Sequence, residues 1–104
     1  GLHLSYVDNE NILIDNNSNL VYSIQILVHD EYSHVIEKKE ELTSLEDSIF
    51  LFNDIYIAIS TNNLGNKYFL LYKNFESRKL AQKYCQKHTF FIEKCLIVNV
   101  QNLE

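Results

Sequence analysis

The feature that most constrains the fold is a strand, a turn and a second strand in the middle of the chain. Ile55, Ile57 and Ile59 alternate with Tyr, Ala and Ser, the period of two that is typical of a half-buried strand. Residues 62–66 follow directly, and their Asn and Gly residues favour a tight turn. Residues 68–72 then form another apolar strand segment. The sequence therefore predicts an antiparallel hairpin, onto which the rest of the chain must pack.

A strand and a helix precede this hairpin. Residues 21–29 are apolar and β-branched with an alternating pattern, which predicts a strand. Asp30 is a candidate N-cap, and apolar residues recur at helical spacing from Tyr32 to Leu45 in a segment rich in Glu and Lys. We therefore expect the first helix to be amphipathic and acidic.

A second helix and a last strand follow the hairpin. Asn74 and Ser77 are candidate N-caps. Apolar positions from Leu80 to His88 share one helix face, while the basic residues fall elsewhere on the wheel. Residues 95–100 are apolar again and predict a closing strand.

The resulting order, βαββαβ, predicts an α+β fold. Right-handed crossovers place both helices on one face of a four-stranded antiparallel sheet, which gives a two-layer, ferredoxin-like sandwich. This domain is predicted over residues 21–101, with a tail over 102–104, while residues 1–20 are either a linker or an extra hairpin. The opposite sheet face is expected to be open. Its residues, assigned by their parity in the strands, are Gln25, Leu27, His29, Tyr56, Ala58, Ser60, Lys67, Phe69, Leu71, Leu96 and Val98.

The charge of the chain argues against nucleic-acid binding. The net charge is -5, and residues 1–66 contain eleven acidic side chains and two lysines, whereas residues 67–104 contain seven basic and three acidic ones. Nonspecific nucleic-acid binding depends on neutralising phosphates, so we predict no such partner. RNA-recognition modules share the order of elements, but their Lys/Arg-Gly-Phe-Gly-Phe stacking motif is missing.

Neither a membrane span nor catalysis is predicted. No apolar run approaches the roughly 20 residues that span a bilayer, and any targeting signal or anchor is expected upstream of this segment. The chain has one Arg and two Gly, so no phosphate-binding loop is present. Cys85 near His88 is more simply explained as one amphipathic face than as a nucleophile and its base. We predict no enzymatic activity and no cofactor.

One cluster of potential metal ligands is present, but we predict no metal. The spacing does not place both histidines on one helix face, and the aspartate is better used as a helix cap. The cluster consists of His29, Asp30, Glu31 and His34.

Four segments of the predicted domain together resemble a SPOR domain. The resemblance covers residues about 21–101, and it depends mainly on the first-strand Gln and on the aromatic, Ser, Arg and Ala pattern that opens the second helix. The segments are Tyr22-Ser23-Ile24-Gln25, Tyr68 to Tyr72, Phe75-Glu76-Ser77-Arg78-Lys79-Leu80-Ala81 and Cys95-Leu96-Ile97-Val98. SPOR domains are bacterial cell-envelope modules, usually periplasmic and part of longer, often membrane-anchored proteins. They bind septal peptidoglycan glycan strands that lack stem peptides.

The resemblance implies a periplasmic glycan-binding module that uses the open sheet face. The apolar faces of pyranose rings pack on aromatic side chains, and sugar hydroxyls need amide and cationic partners. The candidate glycan-binding residues are Gln25, Lys67, Phe69, Leu96 and Tyr56. The alternative is a protein interaction or assembly domain of the same fold in an envelope machine, which would use the open face or an edge strand. This alternative is favoured by the apolar residues Leu27, Leu71, Leu96 and Val98.

The chain departs from the family pattern at several positions. Leu27 and Val28 replace a Gly and a small polar residue, and Lys73 replaces the Gly that closes the third strand. The family frequently has an aromatic residue followed by Arg, whereas this chain has the basic residue first and the aromatic residue second, as Lys67 and Phe69.

The two cysteines leave two alternatives open. A disulfide between Cys85 and Cys95 is compatible with an oxidising periplasm. Two buried thiols are favoured, because the first-strand position that pairs in some relatives is Ile26 here.

Overall fold

The computed structural model describes residues 3–7, 13–14, 21–45, 48–88, 91 and 94–103. The strands are β1 (His3–Val7), β2 (Leu13–Ile14), β3 (Tyr22–His29), β4 (Ile55–Asn62), β5 (Gly65–Phe75) and β6 (Leu96–Asn99). The helices are α1 (Tyr32–Ser44) and α2 (Arg78–Lys87), and short 3₁₀ turns cover Phe52–Asp54 and Val100–Asn102. Neither α1 nor α2 is long and apolar enough to cross a bilayer.

The predicted α+β sandwich is confirmed. The strands lie in the order β2-β1-β4-β5-β3-β6 with every pair antiparallel, so β4-β5-β3-β6 is the four-stranded sheet of a ferredoxin-like βαββαβ domain. Both helices pack on one face, because residues of α1 and α2 share one apolar core with the sheet. The buried members of this core are Ile24, Val35, Leu42, Phe50, Ile55, Ile57, Leu70, Tyr72, Cys85 and Phe91.

A hairpin from the N-terminal region widens the sheet. Strand β1 pairs with β4 from His3↔Thr61 to Val7↔Ile57, and β2 pairs with the outer side of β1. The strand β4 is therefore interior rather than an edge, which leaves β2 and β6 as the two ends of the described sheet.

The central hairpin has a tighter turn than the sequence suggested. Asn62 pairs with Gly65, so Asn63 and Leu64 alone connect β4 to β5. Gly65 has φ +124°, and no atom lies within 4 Å of the place that a Cβ would take. The backbone conformation, rather than space, is therefore what favours glycine here.

The predicted cap of α1 is wrong. The N-cap residue is Glu31, and its side chain makes no capping hydrogen bond. Asp30 instead lies with its carboxylate 3.1 Å from Nδ1 of His29. The turn from β3 into α1 thus takes one residue more than the sequence pattern indicated.

The start of α2 follows the sequence. Oγ of Ser77 accepts a hydrogen bond from the backbone N–H of Leu80 at 3.2 Å, which confirms Ser77 as the N-cap. Asn74, the other candidate, accepts from the backbone N–H of Val21 at 2.9 Å. Its side chain therefore links the end of β5 to the start of β3.

Two irregularities interrupt the pairing of β3 with β5. The one at Ile26 places Leu27 opposite Leu70 and His29 opposite Tyr68, on the face of the helices, so the prediction that Leu27 and His29 lie on the open face is wrong.

The other irregularity is a bulge at Lys73. Lys73 and Asn74 lie opposite Ser23 alone, and Lys73 adopts φ +59°. The buried hydroxyl of Ser23 lies 3.0 Å from the carbonyl oxygen of Tyr72 and 2.6 Å from that of Lys73, so its single proton is shared between them. The bulge falls where the resemblance places glycine.

Candidate functional site

The sheet face opposite the helices is covered at its centre, so the expectation of an open face is wrong there. After β6 the chain folds back, and Val100 and Leu103 are 0% and 6% exposed. They form a second apolar cluster with Ala58, Phe69 and Leu71 of β4 and β5. We call residues 100–103 the C-terminal turn. Side chains three residues apart on a 3₁₀ turn lie on the same side, so Val100 and Leu103 are buried together.

Three of the five candidate glycan-binding residues belong to one row across four strands. Gln25 pairs with Leu96 of β6 on one side and with Leu71 of β5 on the other, and Leu71 pairs with Tyr56 of β4. Directly paired residues of antiparallel strands point to the same face, and strands lie about 4.8 Å apart, so the row is about 14 Å long. We call Gln25, Leu96, Leu71 and Tyr56 the cross-strand row.

The members of the cross-strand row differ in exposure. Leu96 is 55% exposed, whereas Leu71 is fully buried beneath the C-terminal turn. Gln25 and Tyr56 are half-buried on either side of Leu71. The accessible surface of the row is therefore divided into a Gln25 and Leu96 part near β6 and a Tyr56 part on β4.

The other two candidates lie apart from the accessible parts of the row. Phe69 is 5% exposed and packs under the C-terminal turn, so its ring is part of the apolar cluster and offers no platform at the surface. Lys67 is exposed and pairs with Ser60 near the turn of the central hairpin. Four residues of extended chain separate Lys67 from Leu71, about 13 Å along β5.

A cleft between α2 and β6 lies beside the Gln25 and Leu96 part of the row. Its volume is about 730 Å³, and it is lined by Arg78, Gln82, Cys85, Gln86, Phe91, Cys95, Leu96 and Ile97. The cleft was not predicted from the sequence, although the four-residue spacing of Arg78, Gln82 and Gln86 places them in one row along α2.

A disulfide joins the two walls of this cleft. Cys85 of α2 and Cys95, just before β6, are bonded, with their Cα atoms 6.2 Å apart. The favoured prediction of two buried thiols is therefore wrong. Sequence could not decide this point, because the bond depends on how α2 and β6 approach each other in the fold.

Arg78 connects the first turn of α2 to the sheet. Its Nη1 donates a hydrogen bond to the carbonyl oxygen of Ile97 at 3.3 Å, and the guanidinium lies 5.5 Å from the centre of the Tyr22 ring. The guanidinium therefore covers part of the outer edge of β6.

The tyrosines with displaced pKa values belong to the core between helices and sheet. Burial is the main cause that raises the pKa of Tyr72, and the hydrogen bond between its hydroxyl and that of Tyr84, at 2.6 Å, adds to it. Burial also raises the pKa of Tyr32, next to Tyr68. Both tyrosines are therefore part of the packing between the helices and the sheet.

The predicted His and carboxylate cluster forms pairs. The rings of His29 and His34 stack with their centres 4.1 Å apart, and each lies 3.1 Å from a carboxylate oxygen, that of Asp30 and that of Glu31 respectively. Within the part of the chain that the structure describes, no three His, Cys, Asp or Glu side chains are grouped so as to hold a metal ion.

No protein-family model matches this chain, and the searches of curated proteins and of solved structures find no match either.

Proposed function

We propose that this chain is a non-catalytic binding module of a bacterial cell-envelope protein, and that it binds peptidoglycan glycan strands. The proposal combines the resemblance of residues 21–101 to SPOR domains with the position of Gln25. In that family the glycan contacts the sheet face, and the first-strand Gln is one of the two features by which the family is mainly recognised. The site proposed here is the Gln25 and Leu96 part of the cross-strand row.

The observation that best supports this ligand is the direct pairing of Gln25 with Leu96. The amide of Gln25 offers both a donor and an acceptor to sugar hydroxyls. Leu96, 55% exposed on the neighbouring strand, offers an apolar surface to the face of a pyranose ring. Together they provide, at one place, the two kinds of contact that a sugar needs.

The remaining candidates take narrower roles in this proposal. Tyr56 supplies the partly accessible aromatic ring, on the other side of the C-terminal turn. Lys67 contacts a more distant sugar carboxylate, because it lies about 13 Å from the row. Phe69 supports the sheet from beneath the C-terminal turn and does not contact the glycan.

A protein interaction or assembly domain of the same fold is the second candidate. The observation that favours it is that the centre of the sheet face is apolar and is already occupied by a segment of polypeptide, with Val100 and Leu103 packed on Phe69. A face that buries apolar side chains of its own chain has the chemistry to bury those of a partner.

Sedimentation with purified sacculi tests the glycan proposal. We expect the protein to sediment with sacculi whose strands an amidase has denuded, and Gln25→Ala to reduce the bound fraction at least fivefold. The matched control is Gln82→Ala, which removes an exposed amide from α2 and should leave the bound fraction unchanged. Absence of co-sedimentation, or equal binding by Gln25→Ala and the wild type, would refute glycan binding at this site.

A further inference from the structure

The outer edge of β6 has main-chain groups that face away from the sheet. Among the described strands, β6 pairs with β3 alone. Arg78 reaches the carbonyl oxygen of Ile97 from the side of α2, so this carbonyl points away from β3. In an antiparallel pair the N–H and C=O of such a residue point the same way, and alternate residues repeat the pattern. Ile97 therefore presents both its backbone groups at the edge and Asn99 presents its N–H, whereas the carbonyl of Asn99, the N-cap of the 3₁₀ turn, accepts the first hydrogen bond of that turn.

A second hydrogen bond fixes the same alternation independently. The N–H of Val100 donates to the carbonyl of Val21 at 2.8 Å, on the β3 side. Val100 and Val98 thus point inward, which leaves Ile97 and Asn99 pointing outward. The edge is available for one further strand, since none of Leu96–Asn99 is Pro or charged, the residue types that block strand addition.

The helix beside this edge presents a regular row of polar side chains. Arg78, Gln82 and Gln86 are exposed and line the cleft at intervals of four residues. Four helical residues rise about 6 Å. Alternate side chains of an extended peptide are about 6.7 Å apart, so a strand added to β6 would place successive side chains of one face opposite successive members of this row.

The charge around the cleft indicates which charge a partner should carry. Arg78 lines it, and no acidic side chain occurs among its lining residues that the structure describes. Four more exposed lysines follow on α2 or lie just before β6, namely Lys79, Lys83, Lys87 and Lys94. A basic surface next to an unpaired strand edge favours an acidic chain over a basic one.

We infer that the cleft between α2 and β6 binds an extended acidic peptide segment of a partner protein, which adds to the sheet as a strand beside β6. The main chain of the peptide pairs with both backbone groups of Ile97 and with the N–H of Asn99, and its acidic side chains meet Arg78, Gln82 and Gln86. On binding, the Arg78 guanidinium exchanges the Ile97 carbonyl for a carboxylate, which forms the stronger, charge-assisted hydrogen bond. This site adjoins the proposed glycan site, with which it shares Leu96, and goes beyond it.

Fluorescence anisotropy with designed peptides tests the inference. The probe is a fluorescein-labelled, C-amidated octapeptide of alternating Val and Glu. We expect saturable binding to the intact protein, with at least tenfold weaker binding of the matching Val and Lys octapeptide. A Val and Glu peptide that is N-methylated at its four central residues should not bind, because these residues have no N–H to donate and their methyl groups prevent close approach of another strand.

The protein variants use exposed positions, so folding is preserved. Gln82→Glu with Gln86→Glu places two negative charges in the row and should weaken binding of the Val and Glu peptide at least tenfold. The control, Ser33→Glu with Asn63→Asp, changes the net charge equally at exposed positions outside the residues that line the cleft and should bind as the wild type does.

Three outcomes would overturn the inference: no binding of the Val and Glu peptide, equal binding of its N-methylated form, or equal loss in the control pair. Sedimentation with denuded sacculi distinguishes the peptide proposal from the glycan proposal. Gln82→Glu with Gln86→Glu should leave sedimentation with denuded sacculi unchanged, whereas Gln25→Ala should leave peptide binding unchanged. If the α2 pair abolishes sedimentation instead, the cleft is a glycan site and the peptide inference fails.

Discussion

At Lys73 a residue with a full side chain adopts a backbone conformation that usually belongs to glycine. Its φ of +59° lies in the left-handed region, in the bulge of β5 opposite Ser23. The side chain makes two contacts that partly offset the cost of this conformation, because Nζ lies 3.3 Å from a carboxylate oxygen of Asp54 and 5.5 Å from the centre of the Tyr84 ring. Both ion-pair partners are about one-third exposed, so that pair adds little stability.

This conformation predicts an inverted preference at position 73. We expect Lys73→Gly to be more stable than Lys73→Ala by about 1 kcal/mol, because both variants lose the Asp54 pair but only Ala retains the cost of left-handed backbone. Urea unfolding followed by circular dichroism measures the difference. At Lys67, an exposed position of the same strand without positive φ, Ala should instead be the more stable of the two. A more stable Ala at position 73 would contradict this interpretation.

At the scale of elements, the C-terminal turn determines how much of the apolar sheet face opposite the helices is exposed. Without it, Ala58, Phe69 and Leu71 would form an exposed apolar surface; with it, they are 0 to 5% exposed. The turn also separates Gln25 from Tyr56, and so it determines which parts of the cross-strand row a ligand reaches.

The stability of the domain should therefore depend on the C-terminal turn. Leu103→Ala is expected to lower the free energy of unfolding by about 2 kcal/mol, since the Leu103 side chain is 6% exposed against the apolar cluster. Asn102→Ala, at the exposed neighbouring position, should change it by less than about 0.5 kcal/mol. Thermal unfolding followed by near-ultraviolet circular dichroism of the tyrosines gives both values. Equal stability of Leu103→Ala and the wild type would show that the turn is not part of the core.

At the scale of the whole molecule, one aromatic group joins the main layers. The Tyr72 ring of β5 packs on Phe50, Phe91 and the Tyr84 ring of α2, and its hydroxyl lies 3.2 Å from the carbonyl oxygen of Ile49. A raised pKa in the folded state means that the neutral phenol is favoured there. Its contribution to stability is complete below the unfolded-state pKa of about 10 and is lost as the pH rises above that value.

Unfolding at alkaline pH should show that the ionisation of Tyr72 is coupled to unfolding. Above pH 10 the unfolded chain ionises Tyr72 while the folded protein does not, so the free energy of unfolding should fall by about 1.4 kcal/mol per pH unit for this one proton. Tyr72→Phe should show a correspondingly shallower fall between pH 10 and pH 11 in urea unfolding. Ile24→Val, which alters the same core without removing a titrating group, should keep the wild-type slope. Parallel slopes for the wild type and Tyr72→Phe would rule out the coupling.

The sequence by itself determined the order of elements, the antiparallel hairpin around Gly65, the Ser77 cap and the two-layer sandwich. These features follow from local periodicity, turn chemistry and capping, which act over a few residues and need no knowledge of distant neighbours. The pairing of strands then follows from the known handedness of the crossovers.

The tertiary structure alone decided which candidate residues are accessible. Alternation along the strands placed Gln25, Phe69 and Leu96 on one face. The burial of Phe69, however, depends on contact with a turn about thirty residues later in the chain, and the periodicity of the sequence does not predict such a contact. The Cys85 and Cys95 bond, the bulge at Lys73 and the cleft between α2 and β6 have the same origin. Each depends on how two distant segments approach one another, which packing of the whole chain determines.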